Sequence, residues 1–338
     1  MSSIRVVVLG GGSWGTTVAH LCAHNAPTVL WCRSDETAEK INSSHENARY
    51  LPGYELHESL RATTDLSEAL QKADLLVMGV PSDAFRETLQ AAATCVRPWI
   101  PVVSLTKGFE IDTGMRMTEV IHDELPGHPV GVLTGPNLAK EILAGAAAAS
   151  VIAMHDFEVA QSLQDVFHSN LFRVYTNDDL IGCELGGALK NVIAIASGMA
   201  DGLGAGDNTR AAVITRGLAE ITRLGVALGG SSLTFAGLAG MGDLLATCIS
   251  PQSRNRTVGQ WLGEGKSIDD VITEMNQVAE GVKSCRIVQD KARELDVETP
   301  IADQVVAVCH EGATAQDAYA GLLSTRDGRH EMHGLHDQ

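Results

Sequence analysis

Apolar positions follow two different periods along the first 176 residues. Short apolar runs of the kind found in buried strands lie at 4–9, 29–32, 75–80, 100–104, 130–133, 150–153 and 172–175. Stretches with helical spacing, such as 84–93, separate these runs. Strands that alternate with helices predict an α/β domain, built on a doubly wound, mostly parallel sheet that helices cover on both faces.

The pattern changes at a polar stretch, 176–179. No strand-like run follows it, and helix-period segments lie at 181–199, 211–228, 268–275, 282–295 and 301–309. We therefore predict an α/β domain over 1–176, an all-helical domain over 177–326 and a flexible tail over 327–338. Three histidines in that tail (His330, His333 and His336) could bind a metal ion, but their polar context favours a frayed terminus, and we predict no metal site.

Composition and charge narrow the functional classes. A length of 338 residues fits two domains of ordinary size. The net charge of -17 repels phosphate backbones and anionic lipid surfaces, so nucleic-acid binding is not expected. The longest apolar run, 142–154, is shorter than a membrane span, so no stable membrane insertion is expected. Seven dispersed cysteines without a CxxC pair indicate reduced thiols in a cytoplasmic protein.

A glycine-rich turn follows the first predicted strand. Gly10, Gly12 and Gly15 form a GxGxxG pattern that opens a helical stretch, with Ser13 and Trp14 between the last two glycines. In this context the first glycine permits a tight turn, the second lets the backbone approach a pyrophosphate, and the third lets the helix pack on the strand. The pattern predicts a Rossmann-type dinucleotide site; the alternative is a plain glycine turn.

The end of the second strand bears on the choice of dinucleotide. An acidic side chain at this point binds the ribose 2′-hydroxyl of NAD, and an arginine accommodates the 2′-phosphate of NADP. The chain has Arg33 here, with Asp35 and Glu36 close by. The cofactor is therefore predicted to be NADP or NAD.

A lysine in an apolar helix is the first candidate for chemistry. Between Asp179 and Asp201 the only charged side chains are Glu184 and Lys190, and two glycines lie one helical turn before Lys190. Glycines cost helix stability, so the space they leave is expected to serve a ligand. A lysine in an apolar setting has a lowered pKa, which suits proton exchange with a substrate oxygen. The alternative is an ordinary exposed helix lysine.

Three further segments carry candidate ligand groups. The glycine turn at 237–242 delivers Asp243, which could orient or charge-balance Lys190 or could instead cap a helix. The segment 250–256, SPQSRNR, could cradle a phosphate at a helix N-terminus, or could be a solvated basic turn. The turns at 104–108 and 135–137 end predicted strands, at the sheet edge where ligands bind in open α/β folds; the alternative is a plain connection.

Together these motifs resemble the bacterial NAD(P)-dependent glycerol-3-phosphate dehydrogenase family over nearly the whole chain. The matching segments, in order, are GGGSWGT, NARYLPG, ADLLVMGVPS, SLTKGFE, TGPNLAKE, ALKNVIAIASG, GLAGMGDL, SPQSRN and VAEGV. The chain departs from the family pattern in two places. It has GGG where the family commonly has GAG, and Asn137 where the family usually has serine or threonine.

The resemblance implies specific roles for residues of this chain. It makes Lys190 the catalytic proton acceptor. The substrate contacts that it implies, besides Lys190, are Lys107, Gly135, Asn137, Asp243, Ser253, Arg254 and Asn255. The cofactor contacts that it implies are Ser13, Trp14, Arg33, Tyr50, Lys107, Ala139, Arg254, Val278 and Glu280, in addition to the three glycines of the first turn.

The activity implied by the resemblance is hydride transfer between NAD(P)H and dihydroxyacetone phosphate, which gives sn-glycerol 3-phosphate for phospholipid synthesis. It also implies a cytoplasmic homodimer with a site in the cleft between its domains. Two alternatives remain at this stage. A reductase of the same plan could act on a hydroxy acid, although SPQSRN favours a phosphate, or the chain could sense nucleotides without turnover.

Overall fold

The computed structural model of the chain describes residues 4–275 and 279–324. It confirms the predicted fold class, because a Rossmann-type sheet with helices on both faces precedes a part made of helices. The chain divides into two compact units, Met1–Leu180 and Ile181–Gln338. The last strand ends at Asn177, one residue beyond the predicted limit of the first domain at 176. The predicted tail, 327–338, lies outside the described residues.

The first unit contains one eight-stranded sheet. Its strands are β1 (Val6–Leu9), β2 (Thr28–Trp31), β3 (Arg61–Thr63), β4 (Leu75–Met78), β5 (Val102–Ser104), β6 (Val130–Thr134), β7 (Ala148–Met154) and β8 (Phe172–Asn177). They lie in the order β3-β2-β1-β4-β5-β6-β7-β8. All neighbours pair in parallel except β6 and β7, which are antiparallel.

Helices cover both faces of this sheet. They are α1 (Ser13–Ala23), α2 (Asp35–Ser44), α3 (Leu66–Leu70), α4 (Phe85–Ala93), α5 (Met117–Glu124), α6 (Ala139–Leu143) and α7 (Phe157–Phe167). In β1, Val6 and Val8 belong to the core cluster on one face, while Val7 and Leu9 belong to the cluster on the other. Burial on both faces explains why the strands read as continuous apolar runs rather than as alternating patterns.

Two features of the sheet differ from the sequence prediction. The edge strand β3 was not predicted, because its three residues include an exposed arginine and carry no apolar run. The apolar run at 150–153 is part of β7, whose direction is opposite to that of β6. The composition of a buried strand is the same in either direction, so its sequence alone does not reveal this reversal.

The second unit is helical, and none of its described residues lies in a strand. The helices are α8 (Leu180–Gly202), α9 (Asp207–Ala227), α10 (Ser232–Phe235), α11 (Asp243–Ile249), α12 (Arg254–Gly263), α13 (Ile268–Met275), α14 (Glu280–Glu294), α15 (Pro300–His310) and α16 (Ala315–Ser324). A π-helical segment, Leu238–Gly242, leads into α11. The predicted helices at 181–199, 211–228, 268–275, 282–295 and 301–309 correspond to α8, α9, α13, α14 and α15.

Within residues 4–275 and 279–324, two helical runs are long and apolar enough to cross a membrane by length and composition. The first is Leu180–Gly202, and 94% of its apolar window is buried inside the structure, as in the core helix of a soluble protein. The second is Ser232–Ile249, with 44% of its window buried. Such helices are weak evidence for membrane insertion, because core helices pass the same test.

A histidine cluster links α1 to the loop before β3. The backbone N–H of His57 donates to Nδ1 of His20 at 2.9 Å, and the ring of His24 lies 4.9 Å from that of His20. Burial, with smaller contributions from the charges of His24 and His57, lowers the pKa of His20 from 6.5 to about 4. Protonation of Nδ1 would break the bond from His57.

This cluster predicts a loss of stability in acid. Because the pKa is lowered in the folded state, the stabilisation is complete above pH 6.5 and is lost as the pH falls towards 4. We expect the free energy of unfolding of a His20→Asn variant, whose Oδ1 can still accept from His57, to fall between pH 7 and 4 by about 1–2 kcal/mol less than that of the parent chain. Urea unfolding across this pH range measures the difference. The exposed His155→Asn should follow the parent chain, and identical pH profiles for His20→Asn and the parent would contradict the prediction.

Candidate active site

The glycine turn after β1 has the geometry that a dinucleotide site requires. Gly10 has a φ of +123°, and a Cβ there would lie 2.4 Å from the carbonyl oxygen of Gly79. A Cβ on Gly15 would lie 2.1 Å from the carbonyl oxygen of Gly10, so only glycine lets α1 start this close to the turn. Gly12 is the N-cap of α1, and among residues 4–275 and 279–324 no atom beyond its two chain neighbours lies within 4 Å of the position of its Cβ. The turn therefore leaves open space beside the free N–H groups of a helix N-terminus, where a pyrophosphate fits.

Asn47 holds this turn in place, a role that was not predicted from the sequence. The side chain is fully buried, and its Nδ2 donates to the carbonyl oxygen of Gly11 at 2.9 Å and to Oγ1 of Thr16 at 2.8 Å. Its Oδ1 accepts from the backbone N–H of Tyr50 at 3.4 Å. One asparagine in a loop carries no sequence signal for such a role, apart from its place in the NARYLPG segment.

Predicted cofactor residues surround the same turn. Ser13 donates to the carbonyl oxygen of Tyr50 at 3.4 Å, which brings these two residues together. Within the described part of the chain, the buried Nε1 of Trp14 has no hydrogen-bond partner. Arg33 is exposed just beyond β2, whereas Asp35 accepts a 2.6 Å hydrogen bond from Thr64. The open space at Gly12 and the orphaned Trp14 donor fit a bound dinucleotide.

The ends of β5 and β6 bring a second set of predicted residues together. Nζ of Lys107 donates to the carbonyl oxygen of Gly135 at 2.9 Å. Asn137 follows two residues later, and its Nδ2 donates to Oγ of Ser150 at 3.1 Å. Ala139 begins α6 at the same edge. These turns lie at the carboxyl edge of the sheet, which is where open α/β folds bind ligands.

Lys190 lies at the centre of a buried polar group in the second unit. Its side chain is 6% exposed, and Nζ donates to Oδ1 of Asp243 at 2.5 Å and to Oγ1 of Thr247 at 2.8 Å. The hydroxyl of Thr247 donates to the carbonyl oxygen of Asp243 at 2.6 Å, so a lone pair of its oxygen faces the lysine. The predicted pairing of Asp243 with Lys190 is therefore present, and the lysine is not an ordinary exposed one.

Gly186 explains how Lys190 and Asp243 come so close. A Cβ at Gly186 would lie 2.5 Å from the carbonyl oxygen of Ala239 and 3.3 Å from Cα of Gly240. The π-helical segment that leads to Asp243 thus packs directly on the backbone of α8. The prediction that a ligand fills the space at this glycine is wrong, because the backbone of that segment occupies it.

The SPQSRNR segment leads into α12, which begins at Arg254. Ser253 is its N-cap, and its Oγ accepts from the backbone N–H of Arg256 at 3.2 Å. Arg256 forms an ion pair with Asp201 at 2.8 Å, whereas Arg254 is exposed at the first position of the helix. A guanidinium beside a helix N-terminus can bind a phosphate group.

Asn255 connects three helices instead of pointing to solvent. Its Nδ2 donates to Oδ1 of Asn191 at 2.9 Å, and its Oδ1 accepts from the backbone N–H of Gly281 at 2.9 Å. These bonds tie the residue after Lys190 to the start of α12 and to the first turn of α14. Glu280, a predicted cofactor contact, begins α14. Val278, another predicted cofactor contact, lies outside the described residues.

Side chains of the kinds that bind metal ions do not form a metal site in the described part of the chain. Across 4–275 and 279–324, no group of three or more His, Cys, Asp or Glu residues could hold a metal ion. The tail histidines lie outside that part. All seven cysteines are free thiols, and six of them are buried.

Two family descriptions match almost the whole chain. Residues 5–160 match the NAD-dependent glycerol-3-phosphate dehydrogenase N-terminus, and residues 179–320 match the C-terminus of the same family.

Individual relatives agree with these matches. The chain is 61% identical over 325 residues to "Glycerol-3-phosphate dehydrogenase [NAD(P)+] 2" of Sphingopyxis alaskensis, covering 96% of this chain and 98% of that protein. It is 55% identical over 335 residues to "Glycerol-3-phosphate dehydrogenase [NAD(P)+]" of Mycobacterium avium, covering 99% and 98% of the two chains. Among solved structures, the glycerol-3-phosphate dehydrogenase of Coxiella burnetii superimposes with a TM-score of 0.90 at 37% identity, covering 96% of this chain and 99% of that one.

Proposed function

The chain belongs to the NAD-dependent glycerol-3-phosphate dehydrogenase family. We propose that Lys190 is the residue that exchanges a proton with the substrate. The activity is NAD(P)-dependent interconversion of dihydroxyacetone phosphate and sn-glycerol 3-phosphate. The observation that carries the proposal is the buried Lys190 ammonium, which Asp243 and Thr247 hold in one position. A protein that only binds nucleotides without turnover does not require such a buried lysine.

The bound dinucleotide supplies a hydride to C2 of dihydroxyacetone phosphate and accepts one from glycerol 3-phosphate. During reduction the C2 carbonyl oxygen gains negative charge, and Lys190 donates a proton from Nζ to it. In the reverse direction Lys190 accepts the proton of the C2 hydroxyl. The Asp243 carboxylate stabilises the ammonium form between turnovers. Thr247 restricts Nζ to one side, so the proton is presented from a fixed position.

The remaining roles follow the sequence prediction. We propose Lys107, Gly135, Asn137, Asp243, Ser253, Arg254 and Asn255 as substrate contacts, with Arg254 and the start of α12 binding the phosphate. Both ends of the Asn255 amide are engaged with protein atoms, so this residue also fixes the start of α12 beside Asn191. We propose 1–176 as the cofactor domain and 177–326 as the substrate domain.

The experiment follows nicotinamide absorbance at 340 nm with purified protein and dihydroxyacetone phosphate. NADPH and NADH are supplied in parallel, and ketopantoate, a keto acid, replaces the substrate in a matched reaction. Turnover that requires dihydroxyacetone phosphate supports the proposal. Nucleotide binding without turnover would favour a sensor, and turnover only of the keto acid would favour the hydroxy-acid alternative.

The position of Arg33 leads to a prediction for kcat/KM with NADPH and with NADH. Its guanidinium is exposed beyond β2, where the 2′-substituent of the adenosine ribose lies in Rossmann folds. We expect Arg33→Ala to lower kcat/KM for NADPH by about 10-fold or more, and that for NADH by less than about 3-fold. Lys40→Ala removes an equal charge from an exposed position of α2 and should change neither value. Equal losses with both dinucleotides would show that Arg33 does not contact the 2′-phosphate.

We further propose a cytoplasmic homodimer that does not insert stably into membranes and that supplies glycerophospholipid synthesis. The resemblance to the family supports the dimer, and the 94% burial of the apolar window in α8 supports a core role for that helix. Light scattering on purified protein measures the mass, for which a dimer of 35.8 kDa chains is expected. Recovery of the protein in the membrane fraction after cell lysis would contradict the proposal.

A further inference from the structure

The edge between β6 and β7 gives a specific role to Ser150, which was not predicted from the sequence to be a site residue. We infer that Ser150 is a positioning residue: it fixes the amide of Asn137 so that Oδ1 accepts a hydrogen bond from the C1 hydroxyl of the substrate. This inference rests on the proposed function, because it takes dihydroxyacetone phosphate as the ligand.

The antiparallel direction of β7 places Ser150 at this edge. Thr134, the last residue of β6, pairs with Val151 near the start of β7. In a parallel pair the start of one strand lies at the opposite edge from the end of its neighbour. Here the start of β7 reaches the carboxyl edge of β6, directly below the turn that carries Asn137. The Ser150 side chain is fully buried there.

The hydrogen bonds at Ser150 have a fixed direction. Its hydroxyl donates its only hydrogen to the carbonyl oxygen of Thr134 at 2.7 Å. The same oxygen is 3.1 Å from the terminal amide of Asn137, and it can take part in that contact only as an acceptor. The Asn137 atom on this side must therefore be the nitrogen. The network thus assigns the orientation of the amide, which leaves Oδ1 on the other side.

Asn137 Oδ1 is consequently an acceptor that needs a donor. The atom is buried, and nothing within residues 4–275 and 279–324 donates a hydrogen bond to it. A buried acceptor without a partner is costly, which favours a ligand that brings a hydrogen. Asn137 cannot turn its amide to suit an acceptor on the ligand without losing its bond to Ser150.

The chemistry of the substrate identifies the donor. Dihydroxyacetone phosphate carries a ketone oxygen and a phosphate group, which is almost entirely a dianion at pH 8 and then has no hydrogen to donate. Its C1 hydroxyl is the only remaining donor. An acceptor-only atom that contacts this substrate must therefore bind C1–OH. Asn137 would then select for a hydroxyl at C1.

The test compares dihydroxyacetone phosphate with its 1-deoxy analogue, 2-oxopropyl phosphate, at pH 8. We expect the parent enzyme to favour dihydroxyacetone phosphate by about 10- to 100-fold in kcat/KM, the effect of one buried hydrogen bond. Ser150→Ala and Asn137→Leu should both reduce this preference to less than about 3-fold, by slowing the hydroxylated substrate alone. Asn137→Leu leaves Ser150 in place and tests the same contact if Ser150→Ala is unstable.

Thr222→Ala is the matched control, because the Thr222 hydroxyl is also buried and donates to a backbone carbonyl at 2.7 Å, that of Leu218. It should keep the parent preference. An unchanged preference between the two substrates in both site variants would overturn the inference. It would also be overturned if the site variants instead lost the discrimination between NADH and its 3-acetylpyridine analogue, because the nicotinamide amide would then be the donor. Absence of any turnover of dihydroxyacetone phosphate by the parent enzyme would overturn the proposed function itself.

Discussion

A Lys190→Met variant is expected to lose about 1,000-fold in kcat for reduction of dihydroxyacetone phosphate, while its affinity for NADH changes by less than about 3-fold. The methionine fills a similar volume but has no proton to give to the oxygen at C2. Nucleotide binding depends on the glycine turn in the other unit, so the lysine should not contribute to it. Steady-state kinetics measures the first effect, and quenching of protein fluorescence by NADH measures the second.

The same substitution also leaves the Asp243 carboxylate buried without its ammonium partner. Asp243 is 2% exposed, and removing one partner of a buried ion pair typically costs about 3–5 kcal/mol. The activity of Lys190→Met is therefore compared below its own melting temperature, beside Lys140→Met, which removes a lysine from the exposed side of α6 and should retain full activity.

Chemical rescue separates the catalytic role from a structural one. In Lys190→Ala the missing side chain leaves room for a small amine, so added methylammonium should restore part of the activity in proportion to its concentration. A structural defect would not respond to an amine. Full activity in Lys190→Met would exclude Lys190 as the proton donor.

The sequence predicted the fold well where periodicity dominates. Strands buried on both faces give continuous apolar runs, and long core helices such as α8 give a clear helical period. It could not predict β3, a three-residue edge strand held by its neighbour β2 rather than by its own composition. Nor could it predict the direction of β7, which depends on the path of the chain after α6.

The candidate site was predictable in part for the same kind of reason. The glycine turn and the start of α12 are formed by residues close together in the sequence, so the spacing of those residues predicts the turn and the helix N-terminus. Lys190 and Asp243 are 53 positions apart, and sequence reasoning could only suggest that they pair. The space at Gly186 was assigned to a ligand because a sequence shows that space is needed without showing what fills it. The position of Ser150 depends on the antiparallel direction of β7, and no pattern of residues predicts that direction.

Gly12→Ala is expected to weaken binding of NADH and NADPH by about 10-fold or more without a measurable loss of stability. Apart from its two neighbours in the chain, none of the residues that the structure describes has an atom within 4 Å of the added Cβ, and the φ of -74° suits any residue. The methyl group would, however, occupy the open space beside the first N–H groups of α1. A pyrophosphate there must approach the backbone to within hydrogen-bond distance, so the methyl group displaces it.

Two other glycines make this prediction specific. Gly206 is the N-cap of α9, with a φ of -76°, and in the described part of the chain only its two neighbours come within 4 Å of its Cβ position. Gly206→Ala should therefore change neither stability nor binding. Gly10→Ala combines a φ of +123° with a contact of 2.4 Å to a backbone oxygen, and should lower both the melting temperature and the affinity. Calorimetry and NADH titration of the three variants therefore separate turn stability from ligand contact. If Gly12→Ala binds NADH as the parent chain does, the pyrophosphate does not lie against this turn.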